Sequence, residues 1–185
     1  MSTILGLAER RKTARSLTEK RVNIEDIKLA LRAGAQAPSG ANYQPWRFQL
    51  ITDSAVKKKI RAASEEGEKD FYDRVSGDWA DWLDSKSINW CKPFLEEAPV
   101  IVTVLSLRKA PYATESTWLA IGYILLALEE LKLSTVTYTP SNPQKVAQVL
   151  RSPSKYKLEA ILPVGYSDDD KPKEERHCLE DLIIK

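Results

Sequence analysis

The segment 114–132 limits the fold of this chain more than any other stretch. Trp118, Ile121, Leu125 and Leu128 recur at helical spacing, and Leu119, Ala120, Ile124 and Ala127 widen that stripe around the axis. A helix that is apolar nearly all round needs cover on several sides, so the rest of the chain must supply layers around it. Candidate layers flank it. Residues 100–107 are rich in Val and Ile and follow Pro99, which predicts a buried strand. Further strands are expected over 47–52, 134–138 and 158–164. Helices are expected over 3–14, 54–63 and 144–150, and over 23–34, where Asn23 caps the start and Glu25 and Asp26 occupy the first turn. A chain of 185 residues holds one domain comfortably, so residues 1–185 read as a single α+β unit without repeats or linkers.

Composition removes several function classes. Lys and Arg total 28 against 26 Asp and Glu, a net charge of +2 that gives little long-range pull on a nucleic acid. Arg10, Arg11, Lys12, Arg15, Lys20 and Arg21 do cluster, but such a cluster serves a small anion as readily as a polymer. Cys91 and Cys178 form neither a CxxC nor a disulfide pattern, and the single histidine, His177, gives a Ser-His-Asp mechanism little to work with. The apolar runs 98–105 and 118–128 are too short or too interrupted to span a bilayer, and the first residues carry their positive charge after the apolar stretch, the reverse of a signal peptide. A cytoplasmic protein is expected. The segment 65–97 is highly charged yet carries Trp79, Trp82 and Trp90, which suits a surface cover over an active site better than a core element. The polar tail ends in Leu182-Ile183-Ile184, an apolar stretch that a partner subunit could accept.

Two pieces suit an anionic, flat ligand. Arg11-Lys12-Thr13-Ala14-Arg15 gathers two guanidiniums, an ammonium and a hydroxyl, donors matched to phosphate oxygens; taken alone it reads better as a solvated helix end. Pro38-Ser39-Gly40-Ala41-Asn42-Tyr43-Gln44-Pro45-Trp46 fixes its backbone with prolines at both ends, and Gly40 allows close main-chain approach to a ring. In this order the two pieces resemble the opening of the FMN-dependent nitroreductase superfamily. The resemblance continues through Ala98-Pro99, the long helix, Val136-Thr137-Tyr138-Thr139-Pro140 and Leu162-Pro163-Val164-Gly165-Tyr166, nearly the whole chain. It implies a nitroreductase-like fold, a mixed central sheet surrounded by helices, in a homodimer that exchanges terminal arms. It also implies FMN, with Arg11, Lys12, Thr13, Arg15 and Arg176 around the phosphate and Pro38, Ser39 and Gly40 along the flavin. Lys12 departs from the family's usual second Arg: the charge stays, but a bidentate contact is lost.

Glu68-Lys69-Asp70-Phe71-Tyr72 followed by Trp90-Cys91-Lys92 resembles the lid of the iodotyrosine deiodinase branch. Glu68 and Tyr72 are four apart and share a helical face, so both can point at one ligand; by itself the segment also fits a solvated amphipathic helix. The resemblance implies that Glu68 meets the ammonium of a halotyrosine, Lys92 its carboxylate, Tyr72 adds a hydroxyl, and the Ala41 N–H holds the phenolate. Thr139 would donate to flavin N5, favouring one-electron steps, with Tyr138 as a further wall. The implied reaction is reductive dehalogenation, with NAD(P)H or a partner reductase as electron source. A general nitro- or quinone-reductase of the same fold is the nearest alternative. A flavin-binding sensor or carrier without turnover is another.

Overall fold

The computed structural model describes residues 3–184, and its centre is β2 (Val100–Leu107), of which seven of eight residues are buried. Alternate side chains of a strand point to opposite faces, so an unbroken apolar run needs cover on both. β2 has that cover. Val100, Val102 and Val104 pack with Ile27, Ala30 and Leu31 of α2 (Ile24–Gly34) and with Ile121, Ile124 and Leu128 of α6 (Ala113–Glu130). Ile101 and Leu105 pack with Ile60 and Ala63 of α3 (Ser54–Tyr72), Leu95 of α5 (Phe94–Glu97) and Val146 of α7 (Pro143–Val149). The result is a sheet between two helical layers.

The sheet runs β1 (Trp46–Ile51), β2, β4 (Tyr156–Gly165), β3 (Ser134–Thr135), with all three pairings antiparallel. The sequence predicts a mixed sheet. Among the described residues every strand pair is antiparallel and no parallel pair forms. The remaining helices are α1 (Ile4–Arg10), α4 (Asp78–Ser85) and α8 (Leu179–Leu182).

β3 is shorter than the strand expected over 134–138, and three helices differ from expectation. α1 stops at Arg10 rather than continuing to residue 14. Residues 11–18 instead run along the sheet edge, with the Ala14 N–H donating to the Thr135 carbonyl and the Thr18 N–H to the Tyr166 carbonyl. α3 continues past residue 63 to Tyr72, because Ile60, Ala63, Ser64, Gly67 and Glu68 prolong its buried stripe. α6 is covered on only part of its circumference: Ser116, Thr117, Ala120, Ile121, Ile124 and Leu128 are buried, whereas Trp118, Leu119 and Tyr123 are 38%, 49% and 44% exposed. After β4 the chain returns along its own N-terminal segment. The Lys173 ammonium donates to the Ala8 carbonyl, Lys12 to the carbonyls of Asp169 and Lys171, and Lys86 pairs with Glu174 at 2.8 Å. No helix of the described residues is long and apolar enough to cross a membrane.

Candidate active site

The buried stripe of α3 delivers Glu68 to the interior at the end of that helix, where it is 5% exposed. One carboxylate oxygen, Oε1, accepts from the Tyr138 hydroxyl at 2.9 Å, the Ser141 N–H at 3.0 Å and the Ser141 hydroxyl at 2.9 Å. The other, Oε2, faces the Lys92 ammonium at 3.5 Å. Lys92 is equally buried and also donates to the Asn89 carbonyl. Burial lowers the Lys92 pKa below the ordinary lysine value, and the neighbouring Glu68 carboxylate opposes the shift without cancelling it. Tyr72 lies one turn beyond Glu68, with the Lys92 ammonium 5.0 Å from its ring centre. Burial, and then Glu68, push the Tyr72 hydroxyl pKa up, so it stays a donor through the neutral range.

The segment after α3 roofs these groups. α4 carries Trp79 stacked on Trp82, ring centres 5.2 Å apart, and both rings remain largely exposed. Its return is pinned to α3: the Lys92 N–H donates to Glu65 at 2.8 Å, the Arg61 guanidinium donates to the Cys91 sulfur at 3.5 Å, and the Lys69 ammonium sits 4.3 Å from the Trp90 ring centre. The expected cover over 65–97 is therefore narrower in the structure. Residues 65–72 belong to α3, and α5 is core, with Leu95 fully buried. Beneath the roof lies a cavity of about 600 Å³ whose walls include Arg15, Glu68, Phe71, Tyr72, Trp79, Lys92, Tyr138, Thr139 and Ser141.

The other expected ligand residues are not gathered there. Arg11 and Lys12 line a separate cavity of about 170 Å³ beside Leu125, Glu129 and Thr135. Thr13 is exposed, and Arg176 is exposed with its guanidinium donating to the Glu174 and Glu175 carbonyls. Pro38, Ser39, Gly40 and Ala41 line neither cavity. In that loop the Ser39 hydroxyl accepts from the Gln44 N–H, and Gly40 donates to Ser116 at the start of α6. A Cβ on Gly40 would lie 2.6 Å from the Tyr112 ring, so an internal contact already requires glycine there. Ala41, Asn42 and Gln44 hold positive φ of 49°, 54° and 49°, strain of the kind that persists at ligand loops. The sequence reading missed Ser141 and Asn89; no spacing or composition signal marks either one. Tyr138, expected as a wall of the site, lines the cavity and directs its hydroxyl at Glu68.

The sequence model of the nitroreductase family matches residues 8–166. The chain belongs to the nitroreductase family. Within it the chain is similar to the iodotyrosine deiodinase of Thermotoga neapolitana, 47% identical over 177 residues that cover 96% of this chain and 95% of that protein. Iodotyrosine deiodinase 1 of Homo sapiens is 32% identical over 192 residues, covering 96% of this chain and 66% of the human protein. A crystal structure of oxidized iodotyrosine deiodinase bound to FMN and 3-iodo-L-tyrosine superposes with a TM-score of 0.95 at 45% identity, covering 99% of this chain and 98% of that one. A family nitroreductase with bound FMN from Desulfitobacterium hafniense has a TM-score of 0.78 at 16% identity, a likeness of fold alone.

Proposed function

We propose that this protein is an FMN-dependent oxidoreductase that removes halide from halotyrosines reductively. The buried Glu68–Lys92 pair carries the reading. A carboxylate and an ammonium 3.5 Å apart, with the Tyr72 hydroxyl beside them, form the complement of an amino-acid zwitterion. A free nitroarene or quinone has no use for that arrangement. Glu68 takes the ligand ammonium, Lys92 its carboxylate, and the roof over 73–92 excludes water, which strengthens both contacts.

The donor set fits FMN. Arg11, Lys12, Thr13, Arg15 and Arg176 offer charge and hydrogen bonds to a phosphate. Pro38, Ser39 and Gly40 would hold the ring, the Ala41 N–H would hold the phenolate, and the exposed Thr139 hydroxyl would donate at the reactive edge. Bound FMN supplies the two electrons that, with one proton, convert carbon–halogen into carbon–hydrogen and free halide. Arg11 and Arg15 line different cavities of one protomer, and the 38–44 loop lines neither of them. A homodimer completing each site across its interface accounts for that division, and the exposed faces of α6 and the C-terminal apolar residues suit such an interface. NAD(P)H or a partner reductase reloads the flavin, in a cytoplasmic setting.

Titration of the yellow FMN-loaded protein tests the reading through quenching of flavin fluorescence. The expected result is tight quenching by 3-iodotyrosine that weakens at least tenfold in Glu68→Gln, since a charge-assisted contact is removed. Equal response to iodotyrosine and to a nitroarene in both proteins moves the function to a general reductase. Failure to take up FMN overturns the reading entirely.

A further inference from the structure

Oε1 of Glu68 receives three hydrogen bonds, from the Tyr138 hydroxyl, the Ser141 hydroxyl and the Ser141 N–H, while Oε2 receives none of them and faces Lys92. Both hydroxyls are fixed from behind. Tyr138 is bridged to Ile161 through reciprocal N–H to carbonyl bonds of 3.0 and 2.8 Å, and its ring meets Phe94 edge-on at 5.7 Å. Ser141 precedes Asn142, which caps α7 by accepting from the Lys145 N–H at 3.1 Å and abuts Gly67 of α3. A carboxylate without such anchors could rotate to face Lys92 with both oxygens, and the pair would then neutralise itself rather than bind.

We infer that Tyr138 and Ser141 are positioning residues that saturate Oε1 of Glu68, keep Oε2 as the one docking point for a ligand ammonium, and so set the preference for amino-acid over simple phenol substrates. The inference rests on the reading of Glu68 as the ammonium site. An incoming zwitterion exchanges partners with the resident ion pair, its ammonium replacing Lys92 at Oε2 and its carboxylate taking Lys92. A halophenol leaves that pair intact and gains nothing from the anchors.

The test uses oxidised FMN-loaded protein and reads ligand affinity by flavin fluorescence, with 3-iodo-L-tyrosine and 2-iodophenol as probes. Tyr138→Phe and Ser141→Ala should each weaken iodotyrosine about tenfold, the worth of a hydrogen bond to a charged group. Iodophenol affinity serves as the internal reference and should shift less than twofold, and Ser141→Thr, which keeps the hydroxyl, should recover most of the loss. If both variants bind iodotyrosine like the parent while Glu68→Gln is weakened, the positioning role is overturned and the ammonium site stands. Parallel loss of both probes means a merely structural role and also overturns it. If Glu68→Gln itself binds iodotyrosine unchanged, the underlying function reading fails first.

Discussion

Lys92 shows how a single side chain ties stability to the site. The residue is 5% exposed, and Glu68 is its only ion-pair partner among the described residues. Lys92→Met would leave the Glu68 carboxylate buried without a cation, and loss of one partner of a buried pair costs about 3 kcal/mol. Urea unfolding at neutral pH should show a loss of that order, partly restored when Glu68→Gln is added. Glu159 offers a pH-dependent counterpart. Burial pushes its carboxyl pKa up, but hydrogen bonds from Ser106 at 2.6 Å, Thr114 at 2.8 Å and Lys157 at 3.0 Å outweigh burial and hold it below the usual 4.5. A folded-state pKa below the unfolded one means stability that is complete above the unfolded value and lost as pH falls through the folded one. Glu159→Gln should therefore cost about 2 kcal/mol at pH 7. The gap to the parent protein should narrow in denaturant titrations below pH 4.5, the reference value from which Glu159 is displaced.

At the scale of elements, the contact of α3 with α7 decides where the anchors of Glu68 stand. Gly67 lies within α3, where alanine would ordinarily gain about 1 kcal/mol of helix propensity. Here a Cβ would lie 2.8 Å from the Asn142 Cβ and 3.1 Å from its backbone nitrogen, and backbone cannot yield cheaply. Gly67→Ala should thus destabilise by about 1–3 kcal/mol, as overpacking does. It should also move Ser141 off Glu68, weakening iodotyrosine binding more than iodophenol binding; urea midpoints and the fluorescence titration together check both effects. The α3 boundary was legible in part. The periodicity of Ile60, Ala63 and Ser64 is in the sequence, but a charged Glu68 on its buried continuation reads as solvated until Tyr138 and Ser141, distant in the chain, are seen to satisfy it.

For the whole molecule, the exposed apolar residues are the observation on which the proposed homodimer stands. Ile4 and Leu5 of α1, Trp118, Leu119 and Tyr123 of α6, and Leu182, Ile183 and Ile184 at the tail are all solvent-facing. Faces of this kind mark subunit interfaces. Light scattering should give about twice the 20.9 kDa chain mass. Leu119→Glu, which places a charge on that face, should shift the protein toward monomer and release FMN on gel filtration. A monomeric parent that keeps its flavin would remove the dimer from the proposal.

Sequence alone determined the layered α+β framework, because periodicity and uninterrupted apolar runs are local properties that dictate which faces must be buried. It also marked candidate donors, the cations and hydroxyl of residues 11–15 and the shared helical face of Glu68 and Tyr72, because residue type and helical spacing are written in neighbouring positions. The tertiary structure decided the rest. It fixed the antiparallel order of the strands, and it left one side of α6 bare where composition suggested cover all round. It placed Arg11 and Lys12 at a different cavity from the one that Arg15 shares with Glu68, Tyr72 and Lys92. It also aimed the Tyr138 hydroxyl, joined by that of Ser141, at Glu68. Each of these depends on residues far apart in the chain meeting at hydrogen-bond distance, and nothing in local composition records which buried charge will find which partner.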